Sequence, residues 1–180
     1  MKLLIFDTET SNLINNENRN NCFLLQLSYI LYDTETKETE EHDYIFKCPV
    51  NISNSNIHGI TNLISNKGYD FENIVDIIME DFQICDMLIA HNINYDMNVI
   101  ENELNRLGTG YKKYIDILYN KKYIDTMYLG KMLLKTKKYP KLIELYRHYN
   151  DGNEFQNQHS AIADCNATLN VYLKMSKVVS

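Results

Sequence analysis

The chain has 180 residues, 44% of them apolar, with 18 Lys and Arg against 24 Asp and Glu, for a net charge of −6. This length fits one domain with a sizeable core, and residues 1–180 are expected to form a single unit. Taken alone, the acidic balance argues against a nucleic-acid binder, since phosphate binding normally shows as a basic surplus, and no apolar run nears the roughly 18 residues of a membrane span.

Met1–Phe6 is a short apolar run that stops at an acid, the pattern of a buried strand with polar groups at its C-terminal end. With four apolar residues between Lys2 and Asp7, it is too short for a signal-peptide core. Ser11–Asn21 is an Asn-rich loop. Cys22–Tyr32 is rich in β-prone residues and predicts a central strand. A charged turn over Asp33–Glu41 leads to a third strand at Asp43–Lys47, and these three strands fit an antiparallel meander.

After Pro49 the period changes. Phe71, Ile74, Val75, Ile78, Met79 and Phe82 recur at spacings of three and four, which predicts an amphipathic helix. Met87–Ala90 reads as a short strand ending at His91-Asn92. Val99, Ile100, Glu103, Leu104 and Leu107 mark a helix closed by Gly108. Tyr123-Ile124 is a last short strand. Met127–Leu134, Leu142–Tyr149 and Ala161–Val178 read as helices. The expected fold class is α/β, a mixed sheet of about five strands flanked by helices.

The charge is unevenly laid out. Residues 106–147 hold 11 Lys and Arg against 3 acids, a local balance of +8, and the rest of the chain is at −14. Solvated helix faces, a strand-steering surface and a partner surface all fit this layout. Cys22, Cys48, Cys85 and Cys165 form no CxxC pair, so buried free thiols in the cytoplasm or another reducing compartment are expected.

Three groups of residues carry possible chemistry. Asp7 and Glu9 sit at i and i+2 of a strand and share one face. Two carboxylates beside an apolar strand repel each other unless a cation holds them, and oxygen ligands favour Mg2+ or Mn2+ over zinc. Asp96 lies on the same helical stripe as Val99, Ile100 and Glu103, facing the core. Asp164 borders the stripe of Ala161, Ile162, Cys165 and Leu169, with His159 just before that helix. Each group also has an ordinary structural reading: an exposed strand end, an acid serving a helix dipole, a capping histidine.

Taken together, these stretches resemble the DEDDh branch of the 3'-5' exonucleases, which have an RNase H-like fold. Ile5-Phe6-Asp7-Thr8-Glu9-Thr10 resembles the family's first motif. His91-Asn92 with Tyr95-Asp96 resembles the second, with Tyr95 where Phe is more frequent. His159 with Asp164 resembles the third. Ile57-His58-Gly59-Ile60-Thr61, Ile124-Asp125-Thr126 and Tyr139-Pro140-Lys141-Leu142 fit as well. One departure is Ser11-Asn12, which opens the Asn-rich loop where the family often has Thr-Gly.

The resemblance implies that Asp7, Glu9, Asp96 and Asp164 hold two Mg2+ or Mn2+ ions and that His159 is the general base. It implies that Thr8, Thr10, His58, Ile60 and Asn92 contact substrate. The implied activity is hydrolysis of phosphodiester bonds at the 3' end of single-stranded DNA or RNA, releasing nucleoside 5'-monophosphates. An RNA-processing enzyme of the RNase T or oligoribonuclease type is the nearest alternative. A non-catalytic nucleic-acid or protein binding module on the same fold is the other. The expected partners are 3' ends of single strands and no membrane, with a polymerase or another replication or repair protein as a possible attachment.

Overall fold

The computed structural model describes residues 1–13 and 18–179, so part of the expected Asn-rich loop lies outside the described residues. Five strands form one sheet: β1 (Lys2–Thr10), β2 (Leu24–Asp33), β3 (Thr39–Ile45), β4 (Met87–Ala90) and β5 (Lys122–Asp125), in the order β3-β2-β1-β4-β5. β1, β2 and β3 pair antiparallel, and β4 and β5 run parallel to β1. The helices are α1 (Ser55–His58), α2 (Asn62–Ser65), α3 (Phe71–Ile84), α4 (Ile93–Leu107), α5 (Lys112–Asn120), α6 (Thr126–Leu134), α7 (Leu142–Tyr149) and α8 (Ala161–Val179). This is the expected mixed sheet flanked by helices, its first three strands antiparallel.

β1 is apolar without alternation because both of its faces are covered. Leu4 and Phe6 pack with Val75, Ile78 and Phe82 of α3 and with Ile100 and Leu104 of α4. Leu3 and Ile5 face the other way, onto Cys165, Leu169 and Tyr172 of α8. The alternation continues past the apolar run. Asp7 and Glu9 therefore point to the α8 side, and Thr8 and Thr10 to the α4 side.

β1 and β4 share a register only over Leu3–Ile5 against Met87–Ile89. β4 then ends, while β1 runs on to Thr10 with a register shift at Glu9/Thr10. The last residues of β1 thus have no strand on one side. Polar side chains and backbone donors collect there, at the C-terminal ends of three parallel strands, where open α/β sheets place their ligands.

Gly68 shows how closely the outer chain is packed. A β-carbon there would lie 2.4 Å from the carbonyl oxygen of Ile45, a backbone atom with little freedom to move. Gly68→Ala is expected to destabilise the fold by about 1–3 kcal/mol, as overpacking generally does. Denaturant unfolding checks this, and an unchanged midpoint would contradict it.

Candidate active site

The three acids Asp7, Glu9 and Asp164 come together although 155 or more residues separate the first two from the third. One carboxylate oxygen from each lies within 4.8 Å of the others. The strand alternation of β1 and the first turn of α8 achieve this. Asp164 is fixed locally: its N–H donates to the Ser160 carbonyl (3.0 Å) and its Oδ2 accepts the N–H of His159 (3.2 Å).

Asp96 reaches the site from α4. Its Oδ1 accepts the N–H of Thr8 at 3.0 Å and the Thr8 hydroxyl at 2.6 Å. The unpaired edge of β1 leaves that N–H free to be taken. Asp96 is 3% exposed, as its place on the inward stripe predicts.

The electrostatics are those of an uncompensated acidic site. All four carboxyls are pushed above the ordinary carboxylate range, first of all by burial. Asp96, Asp164 and Glu9 also raise Asp7 by repulsion. Glu9 rises to about 8, with repulsion from Asp164 and Asp96 adding to burial. Asp96 rises to about 7, although its bonds from Thr8 pull the other way. Asp164 rises to about 6, held back by His159. Clustered hard oxygen donors of one sign fit one or more divalent cations of the Mg2+ or Mn2+ kind.

Each of these pKa values is higher in the folded chain than in the unfolded one. The folded, metal-free protein therefore binds more protons, and the site's contribution to stability falls as pH rises from about 4 to about 8. A divalent cation removes the repulsion. The rise in melting temperature on adding Mn2+ is expected to grow between pH 5 and 8. A shift independent of pH would contradict the linkage.

His159 sits on an exposed turn with φ +66, in the left-handed region that non-glycine residues seldom adopt. Together with Asp7, Asn92, Tyr139, Phe155 and Asp164 it lines a cleft of about 500 Å³. His91 has a different role. Its ring nitrogens contact Thr126 Oγ1 and the Pro140 carbonyl, each at 3.1 Å, and burial pulls its pKa down to about 4. It is a neutral tie between the turn after β4 and the segment before α7.

The expected substrate contacts divide into two groups. Asn92 lines the cleft, with its backbone at φ +75 and its N–H donated to Asp125 Oδ1 at 3.1 Å. Burial lowers the pKa of His58, and the nearby His159 adds to this. Its Nδ1 accepts the Ile60 N–H at 3.1 Å, so Nε2 carries the hydrogen.

Thr8, Thr10 and Ile60 are turned to internal use. The N–H and hydroxyl of Thr8 both go to Asp96. The Thr10 hydroxyl bonds the Asn12 carbonyl (2.7 Å) and Tyr95 OH (2.9 Å). Ile60 is buried in a small cluster with Leu25, Cys48 and Ile52.

Two organising contacts escaped the sequence reading. One is the Thr8–Asp96 pair. The other is Asp125, whose Oδ1 accepts the N–H groups of Asn92, Met127 and Tyr128 and so ties the start of α4 to the start of α6. An Asp directly before a helix is a recognisable N-cap signal; its reach to Asn92 is not.

Comparison with known proteins bears on the family and the fold. The family model RNase T, described as an exonuclease, matches residues 4–172. Three solved structures share the fold, each with a TM-score of 0.76. One is a full-length 3'-exonuclease, 14% identical, with 99% of this chain and 61% of that one covered. The second is the nuclease domain of 3'hExo, a DEDDh family member, bound to rAMP, 13% identical, with 98% and 92% covered. The third shows 3'-end specific recognition of a histone mRNA stem-loop by a 3'-exonuclease, 14% identical, with 98% and 82% covered. The chain thus spans about 61% of the length of the full-length 3'-exonuclease. No curated protein sequence matches the chain.

Proposed function

This chain belongs to the RNase T exonuclease family, and from that premise we propose that it is a metal-dependent 3'-5' exonuclease of the DEDDh type. Its substrate is the 3' end of single-stranded DNA or RNA, and its products are nucleoside 5'-monophosphates. The observation that carries this reading is the convergence of Asp7, Glu9 and Asp164 within 4.8 Å, with Asp96 joined to them through Thr8 and His159 beside Asp164. The solved relatives bound to rAMP or to an RNA 3' end support the polarity.

In this reading Asp7, Glu9, Asp96 and Asp164 hold two Mg2+ or Mn2+ ions. Bound there, such ions supply Lewis-acid activation of water and offset charge on the leaving oxygen. The residues do the rest. His159, on the rim and free of any tie like that of His91, takes the proton from the attacking water. Thr8 keeps Asp96 in place, with one oxygen fully occupied. Asn92, in the cleft lining, and His58, near His159, orient the terminal nucleotide.

The test is a 5'-labelled single strand of DNA or RNA incubated with Mn2+. Stepwise shortening from the 3' end, release of 5'-monophosphates and resistance of a 3'-phosphorylated strand are expected. Internal cuts alone, shortening from the 5' end, or no cleavage of any strand would overturn the reading.

A further inference from the structure

The cleft does not end at the carboxylates. Tyr139 lines it and is itself half exposed. Next to Tyr139 stands Tyr128, 53% exposed, with ring centroids 6.4 Å apart and ring planes 34° apart. Lys131 holds its ammonium 3.9 Å from the centre of the Tyr139 ring, on one of its faces. Beyond Tyr128 the surface continues as a groove at the β5 edge, where Tyr123 and Met132 are also more than half exposed. Single exposed apolar residues are ordinary on a protein surface, but a continuous row leading from a catalytic cleft is not.

The charge of this row is equally one-sided. Residues 131–141 contain five lysines and no acid. Asp125 lines the groove, but its Oδ1 is engaged by backbone N–H groups. Aromatic faces interleaved with lysines bind a single-stranded nucleic acid: the rings stack bases of any identity, and the ammonium groups meet phosphates. Thr10 and Ile60, by contrast, are buried and offer no such exposed row.

We propose that the strand upstream of the scissile bond leaves the cleft over Tyr139 and Tyr128, with bases stacked on these rings and phosphates beside Lys131. The basic 106–147 segment then has a specific task at its 128–141 part. The proposal rests on the exonuclease reading and adds to it the direction in which the strand runs and the residues that hold it. It also makes the affinity depend on strand length: a dinucleotide ends before the row, and a 12-mer covers it.

The experiment measures binding of a fluorescein-labelled thymidine 12-mer and of a labelled thymidine dinucleotide by anisotropy, with Ca2+ present. Tyr128→Ala is expected to weaken 12-mer binding about fivefold or more and to move the dinucleotide far less. Tyr128→Phe, which keeps the ring, is expected to bind as the parent does. Lys131→Ala is expected to weaken 12-mer binding and to reduce the slope of log affinity against log salt by about 0.7, the value for one phosphate contact on a single strand. Tyr119→Ala, an equally exposed tyrosine on α5, is the control and is expected to change neither. Parent-like 12-mer binding by both Tyr128→Ala and Lys131→Ala overturns the path while cleavage by the parent leaves the exonuclease reading standing. A parent that neither binds nor shortens the 12-mer removes that reading and this proposal with it.

Discussion

Asp7→Asn is expected to lower the rate of 3'-end cleavage by about a thousandfold or more, a loss of about 4 kcal/mol of transition-state stabilisation, and at the same time to stabilise the metal-free protein. The two effects have one cause. Asp7 is half-buried among Asp96, Asp164 and Glu9, and all three push its pKa up. Near pH 8 the folded chain either protonates that carboxyl or carries the repulsion, and both oppose folding. Asparagine removes the charge and keeps the shape. Each kcal/mol relieved corresponds to about 2–4 °C in melting temperature for a chain of this size. Removal of a merely structural carboxylate would lower stability instead. The pair of measurements, cleavage rate and metal-free melting temperature, therefore separates a cation site from a hydrogen-bonded core acid.

His159→Ala is expected to cut kcat by about a hundredfold to ten-thousandfold, the usual range for loss of a general base, while Mn2+ binding persists. The structure makes this separation clean. The hydrogen bond from His159 to Asp164 comes from its backbone N–H, so truncating the side chain removes the ring's charge from beside Asp164 but leaves that bond in place. The backbone at φ +66 disfavours alanine, so His159→Gly, which relaxes that constraint, should lose activity as well. The acid limb of the kcat/KM profile should flatten in both variants. An unchanged rate and profile would place the base elsewhere, and His91 would be a poor substitute because both of its ring nitrogens are already in contact with other groups.

Much of this site is legible from pattern alone because its acids sit where acids are costly. Asp7 and Glu9 continue the alternation of a strand that is apolar on both faces, and Asp96 interrupts an inward stripe. The strand Met87–Ala90 and the helix Leu142–Tyr149 are found at their expected bounds. Other boundaries move for physical reasons. β1 extends through the acids to Thr10 because its partner β2 continues beside it. β3 begins at Thr39, inside the expected charged turn, because an edge strand with an exposed face carries charges in place of apolar alternation. The four-residue helices α1 and α2 are too short to show a period, and α5 buries only Tyr114 and Leu118.

The contacts that no local pattern announces are those set by the sheet. Thr8 meets Asp96 across 88 residues because β4 stops short of the end of β1. Asp125 reaches Asn92 because β5 runs parallel beside β4. Tyr139 reaches the cleft for a related reason: His91, at the end of β4, bonds the Pro140 carbonyl and holds that segment over the site. The net charge of −6 conceals this arrangement, in which Asp7, Glu9 and Asp164 gather at one point while five lysines fall within residues 131–141.

The most direct test of the central claim is a Mn2+ titration in which bound ion per chain and initial rate of 3'-end shortening are read on the same samples, with the parent and with Asp7→Asn. The account predicts no shortening in chelator, a rate that rises as two ions bind the parent, and loss of both tight binding and cleavage in Asp7→Asn. Cleavage in chelator, or an Asp7→Asn protein that binds Mn2+ and shortens the strand as the parent does, would contradict it.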